Sequence, residues 1–89
     1  MAKKRRMLNK DFEKKIYSSK KNVELVLAKI YDIDDEDIQK EYMGAFNKVV
    51  HLYDELKDDY EKKGFNDNSE EFLTHYKDAF NLFESEFEI

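Results

Sequence analysis

The sequence contains no cysteine and no proline, and its only glycines are Gly44 and Gly64. Without cysteine the chain has neither a disulfide framework nor thiolate chemistry, which is typical of a protein in the reducing cytoplasm. A β-rich chain of 89 residues needs more turn-forming residues than two glycines. The composition therefore predicts a helical protein, and we expect it to be cytoplasmic.

Long apolar runs are also missing from the sequence. No stretch approaches the roughly 18 residues that a membrane-spanning helix needs, so we expect no membrane partner. The basic N-terminus is not followed by an uninterrupted apolar segment, which argues against a signal peptide. Hydrophobic residues nevertheless make up 40% of the chain. That share is enough for one small hydrophobic core and excludes a disordered acidic tail.

Signatures of metal binding and catalysis are absent from the sequence. A calcium loop that starts at Asp32 requires Gly at position 37 and Glu at position 43, but Asp37 and Met43 stand there. His51 and His75 each have a carboxylate one helical turn away, yet neither forms a His-Glu-x-x-His pattern. There is no glycine-rich phosphate loop either. We therefore expect no metal, no cofactor and no enzymatic activity.

The strongest positive signal is a central helix over residues 34–63. Apolar residues recur there in steps of three and four, which places them on one side of a helix. Asp34 is expected to cap the helix start, where Ile33 and Ile38 have the spacing of a hydrophobic staple. Gly64 is expected to close its end, with Phe65 folding back on Tyr60. The stripe consists of Ile38, Tyr42, Phe46, Val49, Tyr53, Leu56 and Tyr60.

Two further helices are predicted on either side of the central one. The first covers residues 9–31, although the polar segment 18–22 could break it in two. The apolar pattern has nearly the same helical phase before and after this segment, which favours one helix. The third covers residues 68–86, with Asn68 as its cap and Glu71 completing a capping box. Its apolar stripe comprises Phe72, Tyr76, Ala79, Phe80, Phe83 and Phe87.

Three amphipathic helices joined by short turns predict a single all-α domain over residues 9–89, an antiparallel up-down-up three-helix bundle. Residues 1–8 precede the first apolar periodicity and are interpreted as a basic N-terminal arm. The alternative fold is a long helical hairpin that forms a homodimer, because helices with heptad-like stripes also pair between chains.

Charge is distributed unevenly along the chain. Residues 1–21 contain nine Lys or Arg and two acids, a net charge of +7, whereas residues 22–89 contain seven lysines and nineteen acids, a net charge of −12. In an up-down-up bundle the first turn and the end of the third helix lie at the same end. This end defines the acidic pole: Asp34, Asp35, Glu36, Glu84, Glu86 and Glu88.

A second acidic cluster is predicted on the outer side of the central helix. Asp54, Asp58 and Glu61 repeat at about one helical turn, roughly 5.4 Å, and we call them the acidic face. Phosphates of one DNA strand advance about 3.4 Å per step, so mimicry of DNA is a loose match.

The leading hypothesis is a protein-binding regulator or inhibitor that docks its acidic surface on a basic, nucleic-acid-handling partner. The size and composition are typical of phage and mobile-element proteins.

Two alternative functions follow from the same charges. In one, the arm binds nucleic acid by contacting phosphates, although the acidic body opposes this. In the other, the basic and acidic ends join head to tail, and the protein is a self-associating structural or adaptor protein. The residues proposed for nucleic-acid binding are Lys3, Lys4, Arg5, Arg6, Lys10, Lys14 and Lys15.

Removing residues 1–6 should leave the helical fold intact, because the apolar periodicity begins after them. Circular dichroism of the truncated chain tests this expectation. If the arm binds nucleic acid, the intact chain gives a salt-sensitive gel shift and the truncated chain gives none. The absence of any shift by the intact chain at about 50 mM salt would exclude the nucleic-acid alternative.

Overall fold

The computed structural model describes residues 8–87, and within this range it contains three α-helices and no β-strand. The prediction of an all-helical protein is confirmed. Residues 1–7 of the predicted arm, and Glu88 of the acidic pole, lie outside the described residues. No helix in the described part is both long and apolar enough to cross a membrane. The helices are α1, Lys10–Tyr31, α2, Glu36–Lys63, and α3, Ser69–Glu86.

Helix α1 is continuous through the polar segment 18–22, as predicted. Asn9 caps its start by accepting a hydrogen bond from the backbone N–H of Phe12 at 3.0 Å. Ser19, in the middle of the polar segment, is only 4% exposed. Its hydroxyl donates to the carbonyl oxygen of Lys15 at 2.8 Å, so the buried polar group is satisfied within the helix.

The start of α2 differs from the prediction by one residue. Asp35, not Asp34, is the cap, and its Oδ1 accepts from the backbone N–H groups of Asp37 at 2.9 Å and Ile38 at 3.1 Å. Ile38 is 44% exposed, so the predicted staple and the core role of this residue were wrong. The next residue, Gln39, faces α1 instead.

Gln39 ties the start of α2 to the end of α1. Its side-chain amide lies 3.2 Å from the carbonyl oxygens of Ile30 and Tyr31 and 3.5 Å from that of Ile33. The last carbonyls of a helix have no partner inside the helix. Gln39 therefore supplies donors that the end of α1 lacks.

The turn between α2 and α3 is built around Gly64 and Asn66. Gly64 ends α2 as predicted, with a φ of 73° and a ψ of −166°, a conformation outside the left-handed helical region that essentially only glycine adopts. Phe65, which follows it, packs edge-on against Phe12 with the ring centroids 5.1 Å apart. Asn68 is at the cap position but makes no side-chain capping hydrogen bond, so the predicted capping box is wrong.

Asn66 organises this turn in place of Asn68. Its Oδ1 accepts from the backbone N–H of Asn68 at 2.8 Å, and its amide donates to Asp59 at 3.0 Å. Its backbone N–H donates to the hydroxyl of the buried Ser69 at 2.8 Å. Asn and Ser side chains form such turns because they mimic backbone hydrogen bonding.

The three helices share one core, and α2 packs against both of its neighbours. The α2 side chains in it are Phe46, Val49, Tyr53, Leu56 and Tyr60. Those from α1 are Phe12, Val23, Val26 and Ile30, and those from α3 are Leu73, Tyr76 and Phe83. The predicted α2 stripe is thus buried from Phe46 to Tyr60, whereas Phe72, Ala79, Phe80 and Phe87 of the α3 stripe are partly buried and pack against the core.

Contacts run in opposite order along neighbouring helices. Tyr60, near the end of α2, donates its hydroxyl to Glu13 at the start of α1, at 2.7 Å. At the other end of α2, the ring of Tyr42 lies 4.8 Å from that of Phe87, just after α3. Between these two contacts, the ring centroid of Tyr53 lies 6.0 Å from the ring centroid of Tyr76 in α3.

Tyr76 connects α3 to the backbone of α1. It is 2% exposed, and its hydroxyl donates to the carbonyl oxygen of Ser19 at 3.2 Å. The small Ser19 side chain leaves room for the tyrosine to reach this backbone. Burial raises the pKa of Tyr76 to about 12, because the phenolate would lose its hydration.

The core assignment predicts unequal costs for three alanine substitutions in α2. Phe46→Ala and Leu56→Ala should each lower the free energy of unfolding by about 2–5 kcal/mol, because both side chains are fully buried. Ile38→Ala is the control, and it should cost less than about 1 kcal/mol because this residue is largely exposed. Denaturant unfolding followed by circular dichroism measures all three. Equal losses at the three positions would contradict the assignment.

Tyr76→Phe should lower the free energy of unfolding by about 1 kcal/mol at neutral pH, since one buried hydrogen bond is lost. The pKa of Tyr76 in the folded protein lies above its ordinary value of 10.0. The protonated hydroxyl of Tyr76 therefore makes its full contribution to the free energy of unfolding below pH 10. This contribution is lost as the pH rises through about 12. Between pH 8 and pH 11 an exposed tyrosine of the unfolded chain begins to lose its proton. The free energy of unfolding should therefore fall less over this interval in the variant than in the parent.

The control for this experiment is Tyr17→Phe, because Tyr17 is exposed. This variant should show the parental decline with pH. A Tyr76→Phe variant that also shows the parental decline would contradict the role given to the buried hydroxyl.

Candidate functional site

The residues of the acidic pole that the structure describes lie at one end of the bundle. Asp34 and Asp35 belong to the turn between α1 and α2, Glu36 is the first residue of α2, and Glu84 and Glu86 belong to the last turn of α3. All five are exposed. The packing of Phe87 on Tyr42 holds the end of α3 near the start of α2, which brings the two groups together.

The acidic residues of the pole differ in how they interact with the ends of their helices. Asp35 caps α2, and Asp34 and Glu36 flank it at the positive end of the helix dipole. Glu84 and Glu86 lie instead at the negative end of α3, where no basic residue stands in the last turn. The dipole of α2 therefore offsets part of the charge of the pole, and substitutions there also affect helix stability.

The acidic face lies in the C-terminal half of α2, and Glu61 belongs to the last turn of the helix. Asp54, Asp58 and Glu61 are all exposed, and they line a shallow depression of about 370 Å³ together with His51, Glu55 and Lys57. Asp58 forms an ion pair of 3.2 Å with Lys62, one turn away. Such exposed pairs contribute only about 0–1 kcal/mol, so they exchange readily for contacts with a partner.

Acidic side chains of both α1 and α2 act on Tyr53. The pKa of the Tyr53 hydroxyl is raised, first by burial and then by the negative charges of Asp54, Glu24 and Glu61. Glu24 belongs to α1 and was not among the predicted site residues. Its effect on Tyr53 depends on the packing of α1 on α2, so no local pattern could have found it.

The lysines proposed for nucleic-acid binding are divided by the structure. Lys10, Lys14 and Lys15 are exposed in the first turns of α1. Lys14 and Lys15 lie on the wall of a groove between α1 and α3, which Lys10 does not line. The remaining four, Lys3, Lys4, Arg5 and Arg6, lie outside the described residues.

The two histidines take part in local pairs on the surface. His51 lies 3.3 Å from Glu55, and His75 lies 3.9 Å from Glu71. Within residues 8–87, no three His, Cys, Asp or Glu side chains are grouped closely enough to hold a metal ion. The geometry therefore assigns the two histidines only these local surface contacts.

Comparison of the chain with models of protein families gives no match, and comparisons with curated proteins and with solved structures give none either.

Proposed function

We propose that this protein is a small regulator or inhibitor that binds a partner protein by placing its acidic face on a basic, nucleic-acid-handling surface. The observation that carries the proposal is the exposed row of Asp54, Asp58 and Glu61 in the C-terminal half of α2. The absence of cysteine favours a cytoplasmic setting for this complex.

The proposed architecture is the antiparallel up-down-up bundle over residues 9–89, preceded by the basic arm of residues 1–8. The opposite contact order of α1 with α2, and of α2 with α3, supports it. In this arrangement α2 is held by two helices and presents a rigid outer side. Rigid presentation favours binding because little conformational entropy is lost on docking.

The acidic face is a better docking surface than the acidic pole for an electrostatic reason. The positive end of the α2 dipole neutralises part of the pole, and Asp35 is already engaged as the cap, whereas the acidic face lies in the C-terminal half of α2, away from that positive end. Surface ion pairs add little affinity individually. Their main effect is to steer a basic partner and to speed its association, which makes binding depend on salt.

Nucleic-acid binding through the arm remains the second candidate. The exposure of Lys10, Lys14 and Lys15 in the first turns of α1 favours it, because these lysines are free of any role in the core. The negative charge of α2 opposes it within a Debye length of about 8 Å.

Charge reversal tests the proposed function. The triple variant Asp54→Lys, Asp58→Lys, Glu61→Lys should slow association with a basic partner by about tenfold or more, because steering is reversed. The protein partner is first captured from an extract of the source cells and purified, and association is then measured by stopped flow at low and high salt. Circular dichroism should show unchanged helicity.

The matched control is the triple variant Glu36→Lys, Glu84→Lys, Glu86→Lys, which makes the same change of charge at the acidic pole. It should have only a weak, salt-screened effect on association. The neutral variant Asp54→Asn, Asp58→Asn, Glu61→Gln keeps the size of each side chain and should slow association to an intermediate degree. A partner whose affinity ignores salt and all three variants would show the proposal to be wrong.

A further inference from the structure

The structure contains a second surface, of opposite charge, between α1 and α3. Both helices pack on α2, and their own contact is centred on the hydrogen bond from Tyr76 to Ser19. Beside this contact the two helices leave an open groove with a volume of about 660 Å³. Its walls come from α1 and α3.

The rim of this groove is basic. Lys14, Lys15 and Lys29 line it from α1, and Lys77 lines it from α3. Glu84 is the acidic side chain among the lining residues, so they carry a net charge of +3 in a protein whose overall net charge is −5. Lys29 and Lys77 are distant in sequence from the basic arm, and only the fold brings them beside Lys14 and Lys15.

Part of the groove lining is apolar, beside the polar side chains of Ser18, Ser19, Asn22 and Asn81. Val26 and Phe80 form part of its lining, where they continue the hydrophobic core. Leu25 also lines the groove, and it is 61% exposed. A leucine in this position adds nothing to the core, but it offers apolar surface to a bound partner.

We infer that the groove between α1 and α3 is a docking site for an acidic amphipathic helix of a partner protein. The apolar side of that helix would lie on Leu25, Val26 and Phe80, and its acidic residues would meet Lys14, Lys15 and Lys77. Residues 14–29 of α1 span about 22 Å along the groove, the length of a helix of about four turns. Recognition of this kind uses side chains spaced at i, i+3, i+4 and i+7.

The chemistry of the groove favours this occupant over the alternatives. A nucleic-acid strand would satisfy the lysines, but its phosphates would gain nothing from Leu25. The acidic face of a second copy would bring carboxylates without apolar side chains between them. An acidic amphipathic helix matches both the charge of the rim and the apolar side chains in the lining.

The test uses an 18-residue peptide with leucine at the i, i+3, i+4 and i+7 positions and glutamate between them. Its binding to the full chain is measured by fluorescence anisotropy and mapped by amide chemical shifts. We expect a Kd tighter than about 1 mM that weakens with salt. The largest shifts should fall on Asn22, Leu25 and Asn81, which line the groove. A peptide with lysine in place of glutamate, and one with the leucines scrambled, should not bind.

Matched pairs of variants then assign the contacts. Lys14→Glu with Lys77→Glu should weaken binding of the acidic peptide at least about tenfold, because the charge of the rim is reversed. Lys40→Glu with Lys48→Glu makes the same charge change outside the groove and should weaken binding less than about threefold.

A second pair of variants separates apolar contact from charge. Leu25→Gln should weaken binding at least about fivefold, since it removes apolar area from the groove. Leu82→Gln changes a leucine of similar exposure, 58%, outside the groove and should leave binding unchanged. Both leucines are exposed, so neither substitution is expected to unfold the protein.

Three results would overturn the inference. One is a failure of the acidic peptide to bind, or equal losses in the paired variants. Another is a single-stranded DNA 20-mer that binds the groove while the acidic peptide does not. The last is concentration-dependent self-association in sedimentation experiments that shifts the groove amides, which would identify a second copy as the occupant. The acidic-face variants bear on the proposed function alone, because their residues do not line this groove.

Discussion

Burial of one side of α2 against two other helices is the constraint on which the rest of the structure depends. Phe46, Val49 and Leu56 are almost fully removed from solvent there. Each such side chain contributes roughly 1.5–3 kcal/mol of transfer free energy, and neither α1 nor α3 buries a comparable stripe without α2. The outer side of α2 is thereby left to solvent, which is why its acids are exposed along a straight and rigid element.

Two tyrosine hydroxyls connect this core to the polar parts of the chain. Tyr60 reaches Asn9 and Glu13 at the start of α1, and Tyr76 reaches the backbone of Ser19. A buried tyrosine needs a hydrogen-bond partner for its hydroxyl, so these contacts fix how each helix is positioned along its neighbour. They also explain why a polar residue interrupts the apolar stripe of α1: a larger side chain at Ser19 would occupy the space that Tyr76 uses.

The packing of the helices also separates the charges. Acidic residues lie on the outer side of α2 and at one end of the bundle, whereas lysines from α1 and α3 meet across the groove between them. The acidic face and the groove share no lining residue, so the two partners that we propose would occupy different surfaces. Such separation is effective because charges more than about 8 Å apart are largely screened at physiological ionic strength.

The sequence by itself determined the helical class, the continuity of α1 and the glycine that ends α2, since these depend on local periodicity and on the backbone freedom of Gly64. Local patterns placed the caps less well, because several neighbouring Asp and Asn side chains are chemically able to cap and tertiary contacts choose among them. Only the tertiary structure turned Ile38 outward and Gln39 toward α1, and only it joined Lys29 and Lys77 to Lys14. These outcomes depend on which sides of separate helices face one another, and a periodicity within one helix carries no information about the side that its neighbour presents.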